Sequence, residues 1–167
     1  MTAIRSWSIF DGPIRNALHR VKYQRDIALA EVLMRPVVTY VHDLEWGIDI
    51  VAPVPLSKNR LRERGYNQAD LLAKPLALGM GLRYQPKTLR RGRDTRSQVD
   101  LNLAQRRDNV KDAFSATSKV VDGKAVLVVD DVATSGSTLD ACAEALWQAG
   151  ASDVYGVTLA RAVLTSN

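Results

Sequence analysis

Residues 126–139 read Val-Leu-Val-Val-Asp-Asp-Val-Ala-Thr-Ser-Gly-Ser-Thr-Leu. The apolar part of this stretch is continuous and does not alternate with polar residues, which is typical of a strand buried on both faces of a parallel sheet. Two adjacent carboxylates, Asp130 and Asp131, end the strand, and a loop of small residues follows. Because ligands of open α/β sheets bind where the parallel strands end, this stretch predicts a fold class and a binding site together.

The chain on either side of this stretch favours the same fold class. Downstream, an apolar helical stripe runs from Leu139 to Trp147 and ends at Gly150, and residues 154–160 form another strand. A strand, loop, helix and strand in that order predict an α/β fold with a mostly parallel central sheet flanked by helices. Upstream, further strands are expected at 48–54, 82–84 and 87–90.

Helical patterns account for much of the remaining chain. The predicted helices cover 11–23, 26–41, 67–78 and 103–109. Pro36 is expected to kink or end the second of them, and Pro75 to disturb the last turn of the third.

The length of 167 residues is typical of one compact domain. We therefore predict a single domain, 1–167, against which the N-terminal helical or hood region, 1–47, packs. The polar segment 92–102 has no periodicity and is interpreted as a long flexible loop.

Charge is distributed unevenly along the chain. The 23 Lys and Arg residues exceed the 18 Asp and Glu residues by five, but residues 57–111 alone carry 14 basic and five acidic side chains, which leaves the rest of the chain at −4. This basic middle section indicates a site for polyanions, either phosphorylated small molecules or nucleic acid, unless it is only a solvated face. We interpret its most basic part, 55–66, as a loop.

Composition and motifs exclude several classes of protein. A hydrophobic share of 46% with 25% charged residues is typical of a soluble globular protein. The single cysteine, Cys142, excludes an intramolecular disulfide and a cysteine-based zinc site and favours a reducing compartment, so we expect a cytoplasmic protein without zinc. We expect neither secretion nor membrane insertion, because the apolar runs are too short. The phosphate loop of nucleotide triphosphatases and the complete dinucleotide-binding fingerprint are both absent from the sequence.

The loop after the acidic pair has the chemistry of a phosphate site. It offers backbone N–H groups, hydroxyls and a helix N-terminus through Thr134, Ser135, Gly136, Ser137 and Thr138. Asp130 and Asp131 repel a phosphate but suit a sugar diol or a metal ion. A phosphorylated sugar satisfies both halves, and the alternative is an ordinary strand end followed by a well-capped helix.

This 14-residue stretch resembles the phosphoribosyl pyrophosphate (PRPP) motif of the type I phosphoribosyltransferases. Residues 54–69 and 93–109 are similar to the ComF branch of that family, and the resemblance covers roughly 18–161. It implies a type I phosphoribosyltransferase-like fold with a small hood and flexible-loop region. Many ComF-like proteins begin with a cysteine-rich zinc module, which this chain lacks, so zinc is again not expected.

The resemblance also implies roles for individual residues. The ribose 5-phosphate is expected on Ala133, Thr134, Ser135, Gly136, Ser137 and Thr138. Asp130 and Asp131 are expected to contact the 3- and 2-hydroxyls, with Mg²⁺ near them. The pyrophosphate loop corresponds to Ser57 and Lys58, with Arg60, Arg62 and Arg64 as further cations or as a solvated basic loop. The mobile loop that closes over PRPP corresponds to Thr95, Arg96, Ser97 and Gln98.

The activity that the resemblance implies is a Mg²⁺-dependent phosphoribosyl transfer with release of pyrophosphate, of the ComF type associated with competence and DNA uptake. The alternatives are a non-catalytic PRPP or nucleotide sensor and a single-stranded-DNA-binding competence protein. Expected partners are PRPP or a ribose-5-phosphate nucleotide, single-stranded DNA or competence proteins, and a second copy in a homodimer. The sequence identifies neither the acceptor nor a catalytic base.

Other chemically versatile side chains receive structural interpretations. His19 and His42 are expected to be structural or exposed, because they lie in helices far from the motif. Cys142 and Trp147 are expected in the core. Tyr66 either stacks on a base or packs as part of a helix staple.

Overall fold

The computed structural model describes residues 1–92 and 113–163. The predictions of a flexible loop at 92–102 and a helix at 103–109 fall almost wholly outside the described residues. So do the site predictions for Thr95, Arg96, Ser97 and Gln98.

A five-stranded sheet forms the centre of the molecule. Its strands are β1 (Ala3–Ile9), β2 (Ile50–Pro53), β3 (Arg83–Tyr84), β6 (Ala125–Ala133) and β7 (Asp153–Arg161). They lie in the order β1-β7-β6-β2-β3, and all four pairings are parallel. A separate antiparallel pair is formed by β4 (Leu89–Arg91) and β5 (Phe114–Ala116).

Helices flank the sheet. They are α1 (Gly12–Gln24), α2 (Ile27–His42), α3 (Lys58–Arg64), α4 (Gln68–Gly79), α5 (Ser118–Val121) and α6 (Ser137–Gln148). Asp11, Asp26, Ser57 and Asn67 cap the first four with their side-chain oxygens. Both α2 and α4 continue past their prolines, Pro36 and Pro75, because buried residues on either side hold them in place. Over 1–92 and 113–163, no helix has the length and apolar character needed to cross a membrane.

The core has two halves, one on each face of the sheet. Leu127 and Val129 pack into the half that includes residues of α1, α2 and α4, whereas Val126 and Val128 pack into the half that includes residues of α6. Successive side chains of a strand point to opposite faces, so the continuous apolar run of β6 is required by burial on both sides. The predicted α/β class with a mostly parallel sheet is therefore confirmed.

Strand β1 is a feature that the sequence did not predict. Its serines interrupt the apolar pattern, yet both are bonded to β7: Ser6 Oγ lies 2.7 Å from Thr158 Oγ1, and Ser8 donates to the carbonyl of Leu159 at 2.8 Å. Residues 1–47 thus contribute an edge strand to the sheet as well as two helices.

Two further predictions are wrong. The basic segment 55–66 is not a loop throughout, since it contains α3; none of the residues of α3 is buried, so no apolar periodicity marks the helix in the sequence. Trp147 is 43% exposed although it continues the apolar stripe of α6. Cys142, on the same stripe, is fully buried as predicted.

Candidate functional site

A cleft of about 770 Å³ opens at the carboxyl ends of β2 and β6. Its floor is the end of β6 with the loop that follows, one wall is α3 with the segment before it, and the end of α1, which contacts this wall, also lines the cleft. Asp130, Asp131, Arg60 and Arg64 thus line the same cavity. The cleft therefore combines hydrogen-bond acceptors on its floor with cations on its wall.

The two carboxylates on the floor are held in different environments. Asp131 is 4% exposed and its backbone N–H donates to Asp130 Oδ1 at 2.8 Å. Burial, and then the neighbouring charge of Asp131, raise the pKa of Asp130 well above its usual range. The ammonium of Lys22, from the last turn of α1, contacts Asp131 Oδ2 and partly offsets this repulsion.

The loop between β6 and α6 is shaped for an anion. Gly136 has φ +78°, a conformation that glycine adopts without strain, and it is the N-cap residue of the 12-residue helix α6. Glycine offers no side-chain acceptor to the first turn of α6, whose residues Ser137 and Thr138 line the cleft, although the N–H of Ser137 donates to Ser135 Oγ at 3.4 Å. The hydroxyls of Ser135 and Ser137 lie 2.8 Å apart and order the loop. A phosphate is the ligand that such a helix start favours.

The wall formed by α3 is fixed at both of its ends. The hydroxyl of Ser57 accepts the backbone N–H of Arg60 at 3.4 Å and begins the helix. Beyond the helix, the buried side chain of Asn67 donates to the carbonyl of Val54 at 3.0 Å and accepts from the N–H of Ala69 at 3.1 Å. These bonds tie the start of α4 to the end of β2, so the exposed helix between them is carried on a rigid frame.

The last turn of α1 is anchored to the other end of this wall. The hydroxyl of Tyr66 donates to the carbonyl of Val21 at 2.8 Å and accepts from the N–H of Arg25 at 3.0 Å. The guanidinium of Arg64 lies 5.4 Å from the ring centre of Tyr23, which is a cation–π distance. Residues 21–25 therefore connect the acidic floor of the cleft to its basic wall.

Residues 61–163 match the family model described as phosphoribosyl transferase domain, which is more than half of the chain. The chain belongs to the phosphoribosyl transferase domain family. It is 34% identical over 161 residues to the "DNA utilization protein YhgH" of Salmonella typhi, covering 93% of this chain and 70% of that protein. It is also 34% identical over 157 residues to "Competence protein F" of Haemophilus influenzae, covering 90% and 69%.

A solved structure shares the fold of this phosphoribosyl transferase domain. The adenine phosphoribosyltransferase of Saccharomyces cerevisiae superposes with a TM-score of 0.53 over 83% of this chain and 71% of that one, at 17% identity. Identity this low is informative about the fold alone. Together with the relatives, it confirms the resemblance to type I phosphoribosyltransferases of the ComF branch.

Most of the site residues predicted by sequence lie at the cleft of this family member. Those that line it are Asp130, Asp131, Ala133, Thr134, Gly136, Ser137, Thr138, Arg60 and Arg64, whereas Arg62 does not. Ser57 and Lys58 do not line the described cavity: Ser57 is buried as the cap of α3, and Lys58 is exposed at its first turn. Ser135 supports the loop through its hydroxyl rather than by facing the cavity.

Several residues that line the cleft were missed by the sequence analysis, namely Phe10, Lys22, Tyr23, Glu63 and Arg91. They come from elements that only the tertiary fold brings to the end of β6. Lys22 and Tyr23 have no signal in the sequence beyond their place near the end of a predicted helix.

The two histidines lie as expected, unlike Trp147. His19 and His42 are exposed, and His19 packs against Tyr23 with ring centres 4.6 Å apart. The hydroxyl of Tyr66 is bound to α1, which favours the packing alternative over base stacking.

The acidic pair has the donor chemistry for a magnesium ion. Two adjacent carboxylates supply hard oxygen ligands, and Mg²⁺ in phosphate-handling sites is held by one or two carboxylates together with substrate oxygens. Among residues 1–92 and 113–163, no group of three His, Cys, Asp or Glu side chains is placed to hold a metal ion alone. Asp130 and Asp131 thus fit an ion that arrives with an anionic ligand.

Proposed function

We propose that the cleft binds PRPP and transfers its phosphoribosyl group to an acceptor with release of pyrophosphate. The observation that carries this proposal is that the acidic pair, the phosphate loop and the basic residues Arg60 and Arg64 of α3 all line one cavity. PRPP carries a phosphate, a diol and a pyrophosphate on one ribose. These three groups match the loop, the carboxylates and the basic wall.

Each part of the site has a task in such a transfer. The bond from ribose C1 to a pyrophosphate oxygen breaks with its electron pair leaving on pyrophosphate, and the acceptor forms the new bond to C1. The loop 134–138 anchors the 5-phosphate, while Asp130 and Asp131 accept hydrogen bonds from the sugar hydroxyls. Arg60 and Arg64 stabilise the charge that grows on the leaving group.

Asp130 and Asp131 are the residues that would hold Mg²⁺. A magnesium ion bound there would add charge neutralisation for the pyrophosphate. The same cation would oppose the repulsion from Asp131 that, after burial, raises the pKa of Asp130 in the free protein.

The test is calorimetric titration of PRPP, with and without Mg²⁺, into wild type and into D130N/D131N. We expect saturable, Mg²⁺-dependent binding that weakens by at least about 100-fold in the double variant, since two charged hydrogen-bond acceptors are lost. Asp43→Asn is the matched control, because Asp43 has a 72% exposed side chain and is not among the residues that line the cleft.

Absence of PRPP binding by the wild type contradicts the proposal, as does full binding by D130N/D131N. Once binding is established, pyrophosphate release is measured with a panel of nucleobases and amines as acceptors. Binding without release from any of them favours the sensor alternative.

A second candidate function is binding of single-stranded DNA, which the exposure of α3 favours. None of its residues is buried, and Lys58, Arg60 and Arg62 all reach solvent. The names of the two relatives, which refer to DNA utilization and competence, agree with a role that involves DNA. Phosphate contacts of this kind predict affinity that falls steeply with salt.

This candidate is tested by fluorescence anisotropy of a labelled oligonucleotide over a series of salt concentrations. Neutralising Lys58 and Arg62, which do not line the cleft, is expected to weaken DNA binding and flatten the salt dependence while PRPP binding is retained. DNA binding that is unchanged in K58Q/R62Q contradicts it.

A further inference from the structure

Lys22 reaches the acidic pair from a separate element, α1. Its ammonium contacts Asp131 Oδ2, and the two side chains are 26% and 6% exposed. Exposed ion pairs contribute little to stability, but here the carboxylate is buried, and both partners line the cleft. The pair is therefore part of the wall of the site and not a solvated surface contact.

The position of Lys22 is set by its neighbours. Val21 is fully buried and its carbonyl accepts the hydroxyl of Tyr66, which in turn accepts the backbone N–H of Arg25. Lys22 thus lies in a helical turn that is anchored just before it and again three residues later. Its ammonium is directed to the cleft by the fold.

The two partners have complementary hydrogen-bonding chemistry. An ionised carboxylate only accepts hydrogen bonds and an ammonium only donates them, whereas a sugar hydroxyl does both. A hydroxyl placed beside this pair donates to Asp131 and accepts from Lys22. An analogue that lacks the hydroxyl leaves both groups without that partner, and sites of this kind reject such analogues strongly.

We propose that Lys22 is a specificity-determining residue that, together with Asp131, recognises one hydroxyl of the ribose ring and discriminates against the corresponding deoxy sugar. This inference rests on the proposed function, because it places a pentose phosphate in the cleft. It assigns to α1 a direct part in ligand recognition.

The experiment compares three probes: ribose 5-phosphate, 2-deoxyribose 5-phosphate and 3-deoxyribose 5-phosphate. Each competes with PRPP in a titration on wild type, K22M and K22R. The wild type is expected to prefer ribose 5-phosphate over one deoxy sugar by about tenfold or more. K22M keeps the apolar stem without the donor, so this ratio is expected to fall towards one, and K22R, which retains donors, restores part of it. Lys74→Met, an exposed position on α4, is the matched control.

The outcomes separate this inference from the proposed function. If the wild type binds neither PRPP nor any pentose phosphate, both are overturned. If it binds them with less than about threefold discrimination, this inference alone is overturned, and no variant is needed to show it. If K22M weakens all three probes equally, Lys22 has only a structural role. The deoxy sugar whose discrimination collapses in K22M identifies the hydroxyl.

Discussion

Asp70 and Tyr84 form a polar pair that the cleft does not use. The hydroxyl of Tyr84 donates to Asp70 Oδ1 at 2.7 Å. Burial raises the pKa of Asp70 and the hydrogen bond from Tyr84 only partly opposes it, while burial and the adjacent carboxylate raise the pKa of Tyr84. The fold therefore disfavours the charged form of Asp70 relative to the unfolded chain.

Asp70→Asn is expected to gain stability relative to wild type as the pH rises from about 4 to 7. The pKa of Asp70 is raised in the folded state, so the stability contributed by its protonated form is present at low pH and is lost as the pH rises through the folded pKa. The measurement is urea unfolding of both proteins across this pH range. A difference in unfolding free energy that is constant with pH contradicts the prediction.

At the scale of residues, the predictable part of the site is the part that is contiguous in the chain. Asp130 and the loop 134–138 could be predicted because they come directly after one recognisable buried strand and before a helix, and the strand end and the helix start together define the site. Lys22 and Arg91 were not predictable, since each reaches the cleft only through tertiary packing. A lysine near the end of a helix has the same local sequence whether it faces water or a carboxylate.

At the scale of elements, prediction succeeded where burial requires a regular pattern of apolar residues in the sequence. The strand β6 and the helix α6 have continuous buried stripes, so both were found. The helix α3 was missed because none of its residues is buried. The strand β1 was missed because two serines interrupt its apolar pattern, and their hydrogen bonds to β7 are visible only in the structure. The helix that forms the basic wall and the strand at the edge of the sheet were thus identified only from the structure.

The contact of Tyr66 with α1 is testable at this scale. Tyr66→Phe removes the hydrogen bonds to Val21 and Arg25, so we expect the free energy of unfolding to fall by about 1–3 kcal/mol. PRPP binding is expected to weaken as well, because the turn that carries Lys22 loses its anchor. Denaturant unfolding and calorimetry measure the two effects.

Tyr40→Phe is the control for this variant. Tyr40 is half-buried on α2, and its hydroxyl makes no hydrogen bond to the described residues. Equal loss of stability in both variants would show that the hydroxyl of Tyr66 does not anchor α1.

At the scale of the whole molecule, stability is unevenly distributed. The centre of the sheet is buried on both faces, with Leu127 and Val128 at 0% exposure, and its neighbours β2 and β7 are buried as well. The helix α3, which forms the basic wall of the cleft, has no buried residue. Segments with few buried apolar contacts open with the lowest free energy.

Native-state hydrogen exchange is expected to follow this order. Amides of β6 should exchange slowest, and those of α3 much faster than those of α4, which has six buried residues. Saturating PRPP should slow exchange in α3 if this helix binds the pyrophosphate. Mass spectrometry of peptic fragments measures all three segments together, and exchange in α3 as slow as in α4 would contradict the prediction.

The strand order of the sheet also constrains how the protein is made. Within residues 1–92 and 113–163, the first strand, β1, pairs with β7 alone, and β7 is the last strand and also pairs with β6. During synthesis on the ribosome, β1 emerges before the other strands of the sheet and cannot form this pairing until residues 153–161 have been added. The helices and the central strands can begin to assemble earlier, but the sheet is completed late. In a chain released before β7 is made, the strands β1 and β6 both lack their shared neighbour, and their unpaired edges are available for aggregation.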